Sequence, residues 1–215
     1  MTSRPDLLAG EDLPPKPRQK RSLERRTHLM AAGLDLFGRK GYTAASVDDI
    51  ARRACLPVGS FYQHFRSKRQ LLLALMDELL DHLSRLELRP QAGADIRVGL
   101  RALLSGAFSA DLRYLGAYRA WQEAALSDAG LARKQKKIHA WTTTRVHNVL
   151  LLLSRAPGAR PAVDTAGLAQ ALDAMFWSLL GQALQLSEAG LNQWLDAATH
   201  LIYHAMFLDL REAKT

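Results

Sequence analysis

An all-α fold is predicted by three features of the 215-residue sequence. Apolar residues recur at helical spacing in successive stretches, and no segment shows the sustained alternation of a half-buried strand. The breaks between those stretches carry residues that end helices: Gln91-Ala92-Gly93, Ser127-Asp128, Pro157-Gly158-Ala159-Arg160-Pro161 and Ser187 to Gly190. A capping-box pattern appears twice, as Ser46 with Asp49 and as Ser67 with Gln70. With 48% apolar residues the chain can bury a substantial core, as one large domain or two small ones.

Residues 1–20 read as a flexible basic arm, because Pro5, Pro14, Pro15 and Pro17 discourage any regular element. Its end, Lys16 to Arg26, holds six basic residues against Glu24 alone. Such an arm can lie along phosphates or enter a minor groove; a disordered solubilising tail is the alternative. A first helix is expected from about Ser22 to Lys40, with Leu29, Ala32, Gly33, Leu36 and Phe37 facing the core. Gly41 follows as its left-handed stop. Ser46 caps a second helix whose Val47, Ile50, Ala51 and Ala54 share one face. Cys55-Leu56-Pro57 turns the chain, and Pro57 suits the start of the next helix. That helix, Val58 to Phe65, is too short to stand alone, since isolated helices under roughly 12 residues are marginal. Phe61 and Phe65, four apart, anchor it inward and leave Val58, Gly59, Ser60, Tyr62, Gln63 and His64 on the other face. From Lys68 a leucine-rich helix runs to near Arg89-Pro90, and further helices are expected at about 94–109, 111–127, 130–155, 164–187 and 191–211.

Net charge is +8, and its placement is uneven. Residues 1–70 carry 14 Lys/Arg against 7 Asp/Glu, whereas the remainder is nearly balanced, with 15 against 14. The positive field therefore accompanies the short presented helix, which is the footprint of a polyanion binder; a basic tail that only aids solubility is the plainer reading. No apolar run nears the ~18 residues of a membrane span. No apolar leader opens the chain, and one cysteine cannot form an internal disulfide, so a cytoplasmic protein is expected. No nucleophile–base–acid constellation or Gly-rich phosphate loop is present, so neither enzyme activity nor a cofactor is expected.

The string GYTAASVDDIARRACLPVGSFYQHFRSKRQLLLAL resembles the N-terminal DNA-binding segment of TetR-family transcriptional regulators, over roughly Arg21 to Met76. The resemblance implies a helix-turn-helix head at 21–67 and a helical effector-binding and dimerisation body at 68–215. It also implies double-stranded DNA, a small-molecule effector and a second copy as partners, with repression favoured over activation. Carried over by position, Tyr62 and His64 contact phosphate or neighbouring base edges, and Lys68, Thr43 and Ser46 contact phosphate. Val58 and Ser60 read bases, and Gly59 lets the backbone approach. Relatives often carry Gly in the turn where this chain has Cys55, so the turn is expected not to need a positive φ.

In such a body Phe108, Tyr118, Trp121, Trp141, His147, Met175 and Trp177 are effector-pocket candidates, with plain core as the alternative. The lack of an obvious interior charge cluster points to an apolar or aromatic effector. The last two helices carry apolar residues on more than one face, and the resemblance makes Leu172, Phe176, Leu179, Ala183, Trp194, Ala198, Ile202 and Ala205 a dimer face. Deep burial within one chain is the alternative. Asp196, His200 and His204 stand four apart, but Leu201 replaces the Glu of a zincin motif, and no metal site is expected. Cys55 beside Arg52 and Arg53 reads as a redox sensor or, more plainly, as a small buried hydrophobe.

Overall fold

The computed structural model describes residues 3–86, 95–182 and 186–208. Nine helices lie among these residues: α1 (Lys20–Ala44), α2 (Val47–Arg53), α3 (Val58–Tyr62), α4 (Lys68–Arg85), α5 (Ile96–Leu112), α6 (Leu115–Ala125), α7 (Ala129–Leu153), α8 (Thr165–Gln182) and α9 (Glu188–Met206). Among the described residues no strand forms; Ala159 and Phe207 make one isolated bridge. The all-α expectation holds. The chain divides into two compact units, Ser3–Ser84 with Asp111–Lys137, and Arg85–Ala110 with the chain from Ile138 onward.

In the first unit α1 breaks at Gly41, whose φ of 79° and ψ of −179° suit only a residue without Cβ. Ser46 caps α2 as the sequence implies, its Oγ accepting from Asp49 N at 3.0 Å. Asp48 and Asp49 in the first turn and Arg52 and Arg53 in the last complement the helix dipole. The exit from α2 corrects one expectation: Cys55 has φ of 56°. Its N–H donates to Arg52 O at 3.1 Å while Leu56 N–H donates to Ala51 O at 3.0 Å. That pair of bonds is a Schellman end, which requires the left-handed residue whatever its side chain. A Cβ in that region costs roughly 1–2 kcal/mol. Cys55→Gly is therefore expected to raise stability by about 1 kcal/mol, read as a higher urea midpoint with an unchanged m-value.

α3 is one turn shorter than its expected span. Gln63 caps it, and His64 N and Phe65 N both turn back onto Phe61 O, at 2.9 and 2.8 Å. Phe61 and Phe65 are fully buried with ring centroids 5.7 Å apart, so the short helix is held by its two anchors as the spacing implies.

The N-terminal stretch expected as a flexible arm is instead pinned in this unit. Leu7 is fully buried. Arg4 pairs with Asp77 of α4 at 2.6 Å, and Lys134 of α7 donates to Leu7 O at 2.7 Å. Glu11 pairs with Arg69 at 2.6 Å and with Lys134 at 3.4 Å. An apolar anchor and several ion pairs, formed with residues far along the chain, outweigh the local preference of a proline-rich segment for disorder.

In the second unit Leu100, Val149, Leu150, Leu153, Ala169, Leu172, Ile202, Met206 and Phe207 form one core. This changes the dimer-face expectation. Leu172 and Ile202 belong to that core, Leu179 and Ala198 are also buried, and Phe176 packs edge-on against Phe108 at 5.2 Å. Trp194 lies 5.4 Å from the same ring, and Ala205 is half-buried. The chain uses those apolar stripes within itself. Ala183 lies outside the described residues. α9 ends at Met206, earlier than expected, where Phe207 turns extended.

Candidate nucleic-acid interface

The face of α3 turned away from its anchors presents Val58, Gly59, Tyr62 and Gln63 to solvent. Tyr62 is 54% exposed and Val58 37%, both unusual for apolar side chains and both on the predicted reading face. A Cβ on Gly59 would meet nothing in the chain within 4 Å, so its bareness serves no internal packing. Thr43 and Ser46 are exposed at the junction of α1 and α2. The Oγ of Ser46 accepts from Asp49 N.

Three predicted contacts lie elsewhere. Ser60 is buried against the head. His64, 5% exposed, has neither ring nitrogen hydrogen-bonded among the described residues. Burial, with Arg26 and Arg25 nearby, holds its imidazole below the ordinary histidine range. A buried neutral histidine binds its proton less readily than in the unfolded chain, so its contribution is complete above about pH 6.5 and is lost as pH falls below that value. His64→Gln is expected to flatten the fall in Tm between pH 6.5 and pH 5.

Lys68 is occupied by the protein itself. Its ammonium donates to Tyr42 O, Thr43 O and Ala45 O at 2.8, 3.1 and 3.0 Å, and lies 4.5 Å from the Tyr42 ring centroid. The same turn is held from its other side by Glu123 of α6, which accepts from Tyr42 N at 2.7 Å and Thr43 N at 2.9 Å. The Thr43 side chain foremost, and then these two backbone bonds, keep the Glu123 carboxyl below its usual range against the opposing effect of burial. Sequence reasoning missed Glu123; nothing local marks it, since its partners lie about 80 residues upstream. The junction between α1 and α2 is thus bracketed, carbonyls by α4 and N–H groups by α6. The first turn of α2, and with it the seat of α3, is fixed by a cation and an anion.

The effector-pocket candidates fall into separate surroundings. Tyr118 and Trp121 are buried in the first unit, where the Trp121 indole N–H has no acceptor among the described residues. Phe108, Trp141, His147, Met175 and Trp177 belong to the second. His147 Nε2 lies 3.1 Å from Thr165 Oγ1, Met175 packs on the core, and Trp141 lies under the Arg145 guanidinium. Trp177 donates to Asp173 at 3.2 Å, and Asp173, itself buried, also meets Thr142 Oγ1 at 2.6 Å and His139 Nδ1 at 3.0 Å. A single interior carboxylate is therefore present among the described residues, where the sequence offered no obvious interior charge cluster. Its signal was a lone acid in the apolar run of α8, four residues before a tryptophan. Cys55 is exposed rather than buried. Among the described residues no cluster of His, Cys, Asp and Glu could hold a metal, and no helix is long and apolar enough to cross a membrane.

A capped helix, a Schellman turn and a short helix anchored by two phenylalanines make this unit a helix-turn-helix module. Residues 29–75 match the family of bacterial regulatory proteins described as tetR family. Over this segment the chain is similar to the TetR family of regulators. Over 86 residues it is 38% identical to the HTH-type transcriptional activator FasR of Mycolicibacterium smegmatis, covering 40% of this chain and 39% of that protein. Over 87 residues it is 40% identical to the HTH-type transcriptional repressor Rv3405c of Mycobacterium tuberculosis, covering 36% and 46%. The chain thus spans less than half the length of these curated relatives. Similar folds include a gamma-butyrolactone receptor described as ArpA-like (TM-score 0.67, 20% identity, 90% of this chain and 94% of that one). SmeT in complex with triclosan is another (TM-score 0.67, 21% identity, 86% and 93%).

Proposed function

We propose that this chain is a ligand-responsive, one-component transcriptional regulator that binds a palindromic operator as a homodimer and acts as a repressor, released by a small, mainly apolar effector. The observation that carries the reading is the exposed face of α3, Val58, Gly59, Tyr62 and Gln63, on a helix otherwise locked in the core. A major groove admits one α-helix, and the N-terminal residues of that helix meet base edges. Val58 suits a thymine methyl, Gly59 permits close approach, and Tyr62, Thr43 and Ser46 reach phosphates. Residues 21–67 form the DNA-binding domain in this reading, and the rest of the chain serves effector binding and dimerisation. Lys68, His64 and Ser60 support the reading face from within.

A dimer would pair the faces of α8 and α9 that the chain leaves bare: Ala171, Ala174 and Ser178, with Ala189, Gln193, Ala197 and Leu201. A gamma-butyrolactone receptor and a triclosan complex among the similar folds agree with a small effector. Effector binding would shift the balance between two placements of α4, changing the spacing of the two heads; a ligand does this only through unequal affinity for the two states.

The test is a mobility-shift assay with duplexes selected from a random pool. Tyr62→Ala is expected to weaken binding to the selected palindrome about tenfold or more while the dimer mass is unchanged. Selection of no preferred sequence would favour a ligand-independent nucleoid-type binder instead.

A further inference from the structure

The basic segment leading into the first turn of α1 is held at both ends beside α3. On one side, Arg66, which follows Phe65 directly, pairs with Asp12 at 2.8 Å, and Gln70 Nε2 donates to Asp12 O at 2.8 Å. Gln70 also accepts from Arg66 N at 2.8 Å, so Asp12 is fixed to the exit of the recognition helix. On the other side, the guanidinium of Arg26 in α1 lies 4.8 Å from the Phe65 ring centroid. Between Asp12 and Arg26 the chain must pass close to the C-terminal end of α3.

That passage contains Lys16, Arg18, Lys20 and Arg21, all exposed, and no acid before Glu24. None of the four is paired among the described residues, whereas Arg4, Arg66 and Arg69 of the same unit all are. The cations therefore sort into two sets: those that pin the strap and those left facing water. Pro14, Pro15 and Pro17 hold the passage extended and stiff, so presenting its charges costs little ordering entropy. A free basic tail would lose that advantage.

We propose that residues 13–21 form a second DNA-contacting element, a pinned basic strap that engages backbone phosphates flanking the half-site read by α3. This rests on the operator-binding reading above. Residues 4–12 are then positioning residues: Leu7 and the Arg4–Asp77 and Glu11–Arg69 pairs act on DNA only by setting where the strap begins.

The test compares three full-length proteins on one duplex selected by the wild type, by titration between 50 and 200 mM salt and by hydroxyl-radical footprinting. Each lost phosphate contact flattens the slope of log Kobs against log salt by about 0.9. The variant K16Q/R18Q/K20Q/R21Q is expected to lower that slope by roughly 2–4 per bound head. It should also lose protection of the flanking phosphates while selecting the same palindrome. The variant R4A/E11Q/D12A/Q70A keeps all four cations but removes the ion pairs of residues 4–12 and the Gln70 bond to Asp12, and is expected to lose the flanking protection while selecting the same palindrome. An unchanged slope and footprint in the quadruple variant would overturn the contact, and retained protection in the unpinned variant would overturn the pinning. If the wild type selects no duplex, the operator reading itself fails, which is a separate outcome.

Discussion

Gly116→Ala is expected to destabilise the N-terminal unit by about 3 kcal/mol, lowering Tm by on the order of 10 °C. A Cβ at Gly116 would lie 2.1 Å from Leu34 O, 2.8 Å from Gly38 N and 3.2 Å from Gly38 Cα. All three are backbone atoms of α1, so no rotamer change can relieve the clash. The two helices must part, and with them Arg119 loses its 2.9 Å bond to Gly38 O and Glu123 its grip on the α1–α2 turn. Overpacking in a core commonly costs 1–3 kcal/mol, and rigid neighbours place this site at the upper end. Gly59→Ala is the internal control, because its Cβ would meet nothing within 4 Å. It should melt close to wild type by calorimetry. Equal melting of the Gly116 and Gly59 variants would mean that α6 does not lie against α1.

What could be read from the sequence was local, and what could not depended on distant chain. Ser46 with Asp49, the stop at Gly41 and the Phe61–Phe65 pair are each settled within a few residues, and each is found as expected. Cys55 is the instructive local error. The composition of the turn argued against a positive φ, but the hydrogen-bond closure of α2 imposes it. His64 and Lys68 sit away from the exposed face for a different reason. Spacing gives the face of a helix a residue occupies, but not whether another element covers that face. His64 is buried near Arg25 and Arg26 of α1, and Lys68 is claimed by carbonyls 23 to 26 residues earlier. The arm illustrates the same limit in reverse: its prolines predict disorder, and Arg69, Asp77 and Lys134 hold it in place. Among the dimer candidates, apolar stripes on α8 and α9 were legible, while the burial of Leu172 and Ile202 in the chain's own core was not.

Glu123→Ala is expected to weaken operator binding about tenfold while leaving the helix content of the protein intact. The carboxylate accepts two backbone N–H groups, at 2.7 and 2.9 Å, in a turn whose carbonyls are already drawn toward Lys68. Hydrogen bonds to a charged group contribute roughly 1.5–3 kcal/mol when sheltered; at this half-exposed site about 1–2 kcal/mol for the pair is the reasonable scale. That is enough to let Tyr42 and Thr43 sample other conformations, and α2 begins only a few residues later. Since 1.4 kcal/mol is tenfold in an equilibrium constant, the loss of a preorganised reading face gives the stated change in affinity. Glu123→Gln keeps one acceptor oxygen and should recover part of the effect. Hydrogen exchange of the Tyr42 and Thr43 amides should quicken in the Ala variant ahead of the α1 core, a readout that general destabilisation would not produce. The sign with pH follows from the lowered carboxyl: its contribution is complete above the ordinary glutamate range and disappears as pH drops through the folded value, so wild type should approach the Ala variant in acid. If Glu123→Ala binds DNA as wild type does while those amides exchange faster, α6 steadies the turn without setting the reading helix, and Lys68 alone carries that task.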